Sequence, residues 1–350
     1  MKVKKIVSFA SIVVIVALLV YGIYLYRAIF TENTNFSESE FYVHIPSESN
    51  YEDVKAIISP FVKNMEHFEM IANKRSYPDN VKSGRFLFQK GMNSFELVTT
   101  LRQNVPVKLA FNNQERLENF VGRVGSQIEA DSISLLKTFT DSTFLKENGF
   151  TKENVISVCI PNTYEFYWDT SAFKFREKMI KEYRKFWNPN RTAQAAKLGL
   201  TPIQATILAS IVHKETVKKD ERPRVARVYL NRMNLQMPLQ ADPTVIFAKK
   251  KQLGNFDTII KRVYFNDLKI NSPYNTYYYL GLPPGPIAMP DITAIEAVLN
   301  PEKNDFIYFC ASVTKFGYHE FASNLNQHAA NRKKYVEWLD KQVVESKIPK

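Results

Sequence analysis

The sequence predicts an α+β protein with an N-terminal transmembrane helix, a small α+β module and a larger mixed α+β domain. Three observations carry this reading. Residues 6–26 contain no charged side chain. Residues 40–105 combine helical apolar stripes with a short strand bounded by glycines. Residues 200–248 are strongly helical, and a strand over 306–313 and a closing helix over 324–343 follow them.

The N-terminal run has 21 uncharged positions; at 1.5 Å per residue it makes a helix of roughly 32 Å, enough to cross a hydrocarbon core. Lys2, Lys4 and Lys5 precede it, and only Arg27 follows before Glu32, Glu38 and Glu40. This asymmetry keeps residues 1–5 in the cytoplasm and sends the remainder outward. Tyr21, Tyr24 and Tyr26 would form an interfacial belt. A cleaved signal peptide would have a shorter apolar core and a small-residue cleavage site after it, so an uncleaved anchor is expected. The expected location is the plasma (inner) membrane, single-pass, with the working domain on the outer, periplasmic side. No G-x-G-x-x-G or P-loop is present, and no cofactor is expected there.

Residues 27–39 are polar and read as a linker. In the module at 40–105, Val54, Ile57, Ile58 and Phe61 form a helical stripe. Phe86-Leu-Phe88 forms a strand between Gly84 and Gly91, and Leu97, Val98 and Leu101 a second helix. From 106 to about 185 the pattern is mainly helical. It is interrupted by an apolar run at 155–160, which reads as a strand, and by a loop beginning at Pro161. The two cysteines, Cys159 and Cys310, both lie in apolar runs and read as buried thiols, with a disulfide left open. Net charge is +12, which favours acidic partners. The excess is scattered and accompanied by no nucleic-acid-binding signature, so nucleic acid is not an expected partner. No zinc-ligand spacing occurs, and no metal is expected.

A well-marked helix starts at Thr201-Pro-Ile-Gln204, which has the form of a capping box with proline in the first turn. Extending the spacing of Leu208, Ile211 and Val212 by one turn reaches Glu215. An acid inside the arc meant for the core resists ionisation, as a general acid working near neutral pH requires. The alternative is that the helix frays after Val212 and Glu215 meets solvent, Lys218 or Lys219. His213 projects from the other side with Thr206 and Ser210, so it reads as solvated or structural, not as a dyad partner. Asp242, before Pro243, reads as a helix N-cap more readily than as a catalytic group. Tyr274-Asn-Thr-Tyr277 offers aromatic faces, amides and hydroxyls suited to a sugar, and a plain surface loop is the other reading. Gly281-Leu-Pro-Pro-Gly-Pro-Ile287 is a stiff turn that could fix one wall of a site.

These motifs together resemble the endolytic murein transglycosylases (MltG, also called YceG-like). The match runs through Leu208-Ala-Ser-Ile-Val-His-Lys-Glu-Thr216, Val228-Tyr-Leu-Asn-Arg232, Met237-Pro-Leu-Gln-Ala-Asp-Pro-Thr-Val245, Tyr274-Asn-Thr-Tyr277 and the 281–287 turn. It ends on His319-Glu-Phe and Asn324. A weaker match at Lys82-Ser-Gly-Arg-Phe, Lys90-Gly-Met and Glu96-Leu-Val resembles the family's LysM-like module. The resemblance implies a LysM-like module at 40–105, a catalytic domain at 106–350, and peptidoglycan glycan strands as substrate. It also makes peptidoglycan synthases candidate partners. The implied reaction is a lyase cleavage between N-acetylmuramic acid and N-acetylglucosamine that terminates strand elongation. Glu215 would serve first as acid, then as base toward the muramic acid's 6-hydroxyl, closing a 1,6-anhydro ring. Gln240, Asp242, Tyr274, Asn275 and Thr276 fall on positions expected to line the cleft. Two rival readings stand beside it: a muramidase-type hydrolase using Glu215 with Asp242, and a glycan-binding scaffold protein.

Overall fold

The computed structural model describes residues 2–346, which divide into two compact units. The first comprises 2–109 with 126–130 and 165–171. It opens with helix α1 (Lys2–Phe30), whose stretch Phe9–Phe30 has a mean hydropathy of 2.4 and is long enough to span a membrane. Its side chains are exposed along most of that stretch, which in water would be unfavourable and in lipid is ordinary.

Strand β1 (Glu40–Ile45) pairs antiparallel with β2 (Gly84–Gln89), from Glu40 opposite Gln89 to Ile45 opposite Gly84. Alternation turns Val43, Ile45, Phe86 and Phe88 to one face, where all four are buried. Helices α2 (Tyr51–Ile58), α3 (Met65–Lys74) and α4 (Ser94–Thr100) supply Val54, Ile58, Phe68, Ile71 and Leu97 to the same core. Two reciprocal capping boxes, Asn50 with Asp53 and Asn93 with Glu96, start α2 and α4. The stretch read as a linker is knit into this unit. Asn33 and Thr34 are buried, and the Asn33 amide donates to the Asn64 carbonyl at 2.8 Å and to Ser94 Oγ at 2.9 Å. Polar composition suggested solvent; here it satisfies buried backbone.

The second unit comprises 110–125, 131–164 and 172–346. Helices α5 (Leu117–Gly125), α6 (Ser132–Phe139), α7 (Ser142–Asn148) and α8 (Ala172–Phe186) contribute Phe120, Phe139, Phe144 and Phe175 to the buried interior. The 155–160 run forms a short 3-10 helix over Val155–Val158, not the expected strand. A wholly buried apolar run has no period by which helix and strand can be told apart. Cys159 and Cys310 are both free thiols, the first buried and the second partly so.

Helix α9 (Pro189–Lys197) leads into α10 (Pro202–Glu215), which starts on the reciprocal Thr201–Gln204 capping box. Every residue from Ala205 to Val212 is buried, so α10 is a central helix without a solvent face. Thr206 and Ser210, read as the outward side, turn their hydroxyls back to the Pro202 and Ile207 carbonyls. Ser210 Oγ also accepts the Ile287 N–H at 3.1 Å, tying in the 281–287 turn. In that turn a Cβ on Gly285 would stand 1.9 Å from the Glu153 carbonyl oxygen, so only glycine fits. Helices α11 (Arg222–Asn234), α12 (Asp242–Leu253) and α13 (Ile292–Leu299) pack on α10. The hairpin β3 (Tyr308–Ala311) and β4 (His319–Ala322) and helix α14 (Leu325–Ser346) complete the unit.

Candidate active site

Helix α10 holds its hydrogen bonding to the last turn and ends with Thr216 in an extended conformation. Glu215 therefore leaves the buried helix at its C-terminal end, half-buried, and does not fray into solvent. It opens onto a pocket of about 250 Å³ lined also by Tyr229, Arg232, Leu239, Gln240, Asp242, Tyr277, Phe309 and His319. Burial pushes the Glu215 carboxyl up to about 7, against the lowering effect of the Tyr229 hydrogen bond and of the charge that His319 brings in its imidazolium form. Asp242 adds a further upward push and Arg232 a downward one. The result is an acid poised to exchange its proton near neutral pH.

Tyr229 lies in the middle of α11, 1% exposed, and its hydroxyl donates to Glu215 Oε1 at 2.5 Å. A tyrosine that deeply buried needs a partner for its hydroxyl, and the carboxyl supplies it. One turn on, Arg232 donates through Nε to the Ile307 carbonyl at 2.6 Å and through Nη1 to the Leu239 carbonyl at 2.8 Å. The same Nη1 reaches Gln240 Oε1 at 3.3 Å. Arg232 thereby joins the β3 edge to the loop before α12 and faces Gln240's amide oxygen inward to itself.

Three of the sequence candidates, Glu215, Gln240 and Asp242, meet in this pocket. Gln240 has a left-handed backbone, φ +52°, uncommon for a residue with a side chain and a form of strain that gathers at functional sites. Asp242 is not the cap of α12. Ala241 occupies that position without a side-chain cap, and Asp242 sits in the first turn. Its Oδ1 accepts the Tyr277 hydroxyl at 2.7 Å, a tertiary partner that a local reading of Asp-Pro does not contain.

Tyr274, Asn275 and Thr276 are buried behind the wall and do not line the pocket. Asn275 donates to the Leu268 and Ile270 carbonyls and accepts the Tyr277 N–H. Thr276 Oγ1 accepts the Ala241 N–H at 3.0 Å, and its carbonyl accepts the Gln240 N–H at 3.0 Å. The two polar residues thus hold Gln240, Asp242 and Tyr277 in place. Tyr274 packs on Phe247 at 4.6 Å and lines a separate cavity. Tyr229, Arg232, Tyr277 and His319 were not singled out as site residues from the sequence, although each stands in a quoted motif. The three-residue spacing of Tyr229 and Arg232, one helical face, was the available signal.

His213 is structural. Its Nδ1 lies 3.3 Å from Asp291 Oδ2, and Asp291 Oδ1 accepts from the buried Arg222 at 2.7 Å. Among the described residues no group of three His, Cys, Asp or Glu side chains is placed to hold a metal ion.

A carboxyl raised toward neutrality at a helix end, in a small pocket of hydroxyl, amide and guanidinium groups on an α+β domain, is suited to general-acid chemistry. The YceG-like family model matches residues 43–334, and the chain belongs to that family. A Bacillus subtilis protein named endolytic murein transglycosylase is 27% identical over 346 residues, covering 91% of each chain. A Streptococcus pneumoniae protein of the same name is 28% identical, covering 84% of this chain and 58% of its own length. The crystal structure of a yceG-like protein from Listeria monocytogenes superposes with a TM-score of 0.55 at 28% identity, over 84% of this chain and 99% of that one.

Proposed function

We propose that this protein is an endolytic murein transglycosylase, a lyase that cuts glycan strands between N-acetylmuramic acid and N-acetylglucosamine and leaves 1,6-anhydro ends. The observation that carries the reading is Glu215, whose carboxyl is pushed up to about 7 beside groups suited to sugar hydroxyls. Such an acid protonates the glycosidic oxygen at neutral pH. The bond to the anomeric carbon breaks, and the 6-hydroxyl of the same muramic acid closes on that carbon without water. In the family's scheme the hydroxyl's proton returns to the carboxylate that gave up the first one. Gln240, Asp242 and Tyr277 bind the sugar, while Asn275 and Thr276 act through them and Tyr274 supports the wall. The names and the 27–28% identity of the relatives support the reading.

The wider assignment follows the same line. The apolar helix α1 is compatible with a single-pass anchor. We place it in the plasma (inner) membrane with residues 1–5 cytoplasmic and the rest on the outer side, a reading supported by Lys2, Lys4 and Lys5 before the span. Residues 40–105 serve as a LysM-like glycan grip and 106–350 as the catalytic domain. Cleavage terminates strand elongation, with peptidoglycan synthases as the partners to be tested.

Product analysis decides the reaction. Purified glycan strands digested by the wild-type protein should yield fragments ending in anhydro-muramic acid by mass spectrometry, and Glu215→Gln should yield none. Reducing ends would establish the hydrolase instead, with Asp242 as the second carboxylate of the pocket. Full cellular function of Glu215→Gln would leave the glycan-binding scaffold.

A further inference from the structure

Ring closure requires two proton transfers, and the pocket contains a second group arranged for one of them. His319 opens β4 and lines the pocket shared with Glu215. Both oxygens of Glu221, a side chain 1% exposed, reach this residue, and the carboxyl also hydrogen-bonds with Thr216. Oε1 accepts the His319 backbone N–H at 2.7 Å, and Oε2 lies 2.9 Å from the ring Nδ1. Burial raises Glu221, but these bonds, the charge of the imidazolium form of His319 and a hydrogen bond with Thr216 outweigh it and hold the carboxyl below the usual glutamate range. An ionised carboxylate only accepts, so Nδ1 carries the hydrogen and Nε2 bears the lone pair of the neutral ring. Nε2 makes no hydrogen bond among the described residues. The rings of Phe309 at 5.0 Å and Phe321 at 6.3 Å, both edge-on, fix the imidazole plane.

A buried carboxylate that fixes the tautomer of a pocket histidine is the arrangement that orients a general base. The acid and the base would then be distinct groups whose surroundings differ in the required sense. We propose that His319, oriented by Glu221, takes the proton of the muramic acid's 6-hydroxyl while Glu215 supplies the proton to the departing oxygen. The assignment rests on the transglycosylase reading above. In the step, the C1–O4 bond breaks with its electron pair on O4, which receives the Glu215 proton. The 6-oxygen bonds to C1 as its hydrogen passes to His319 Nε2. Transfer of that proton from the imidazolium to the Glu215 carboxylate restores both groups, so no co-reactant is consumed.

The test uses the full-length protein in detergent on purified glycan strands. His319→Ala should lower kcat by about 10²–10⁴-fold with KM little changed, and added imidazole should restore part of the rate saturably. His319→Asn retains an N–H donor for Glu221 and lacks Nε2; it should melt like the wild type and be comparably slow. Glu221→Gln should fall between. Folded variants of His319 with kcat within about threefold of wild type overturn the assignment. So does a slow, folded His319→Ala that imidazole does not rescue, since that result marks a merely structural residue. Anhydro-ended products from those variants at full rate leave the transglycosylase reading intact, whereas reducing ends from the wild type remove that reading and this assignment together.

Discussion

Glu215 combines two properties that pull against each other, since the burial that suits it to catalysis also costs stability. Its carboxyl is raised to about 7, above the value near 4.5 expected in the unfolded chain. As pH climbs from about 4.5 to 7 the unfolded chain releases this proton first, so the folded state loses stability across that window. Above it the full penalty, roughly 3 kcal/mol, is present. Glu215→Gln should therefore abolish cleavage yet raise stability at pH 8 by about that amount, with no gain at pH 4, as denaturant unfolding at the two pH values will measure. Tyr229→Phe removes a hydrogen bond that lowers the carboxyl. Glu215 should then hold its proton to higher pH, and the alkaline limb of the kcat/KM profile should move upward. Gln240→Gly tests the left-handed backbone. Glycine relieves the strain, so stability should hold or rise by up to about 1 kcal/mol while KM for glycan increases.

At the scale of elements, the register of the site depends on how α10 ends against α11 and α13. Asp291 caps α13 by accepting the Ala294 N–H, and it pairs with Arg222, whose side chain is 4% exposed. The Arg222 and His213 contacts outweigh burial and hold Asp291 well below the usual carboxylate range. Asp291→Ala removes a cap and takes the carboxylate from a buried guanidinium, whose remaining partners among the described residues, Thr293, the Thr216 carbonyl and His213 Nδ1, carry no compensating negative charge. The expected loss is about 3 kcal/mol or more in urea unfolding, most of it from the unpaired buried charge. Because Arg222 also reaches the Thr216 carbonyl, directly after Glu215, activity should fall further than the folded fraction.

For the molecule as a whole, the anchor is separable from the chemistry if α1 serves only to hold the protein at a membrane. A chain begun at residue 27 keeps the buried Ala28 and the packed Asn33 and Thr34. It should leave the membrane fraction on cell fractionation and still cut purified strands at a rate close to that of the full chain. Retention in the membrane fraction would point to a second attachment. Loss of folding would mean that α1's packing on the first unit is needed for its stability.

Much of this plan was readable in the chain. The 21-residue uncharged run, the Thr201–Gln204 cap and the phase leading to Glu215 are local patterns, and local physics produces them. Glu215 was reached by an argument that the fold modifies. Helix α10 is buried on all sides, so the acid's environment comes from the pocket at the helix end, not from an amphipathic face. The 155–160 run and Asp242 failed for related reasons: a buried run has no period, and a cap-like Asp-Pro was taken by Tyr277 from 35 residues away. Tyr274, Asn275 and Thr276 were identifiable as a motif, but whether they touch a ligand or hold those that do is decided by burial. The sequence by itself determined the apolar helix α1, the start of α10 and the place of Glu215 at its end. Only the tertiary structure brought Tyr229, Arg232, Tyr277 and the Glu221–His319 couple around it, because those contacts join separate elements, and the shared face of Tyr229 and Arg232 does not encode what it meets.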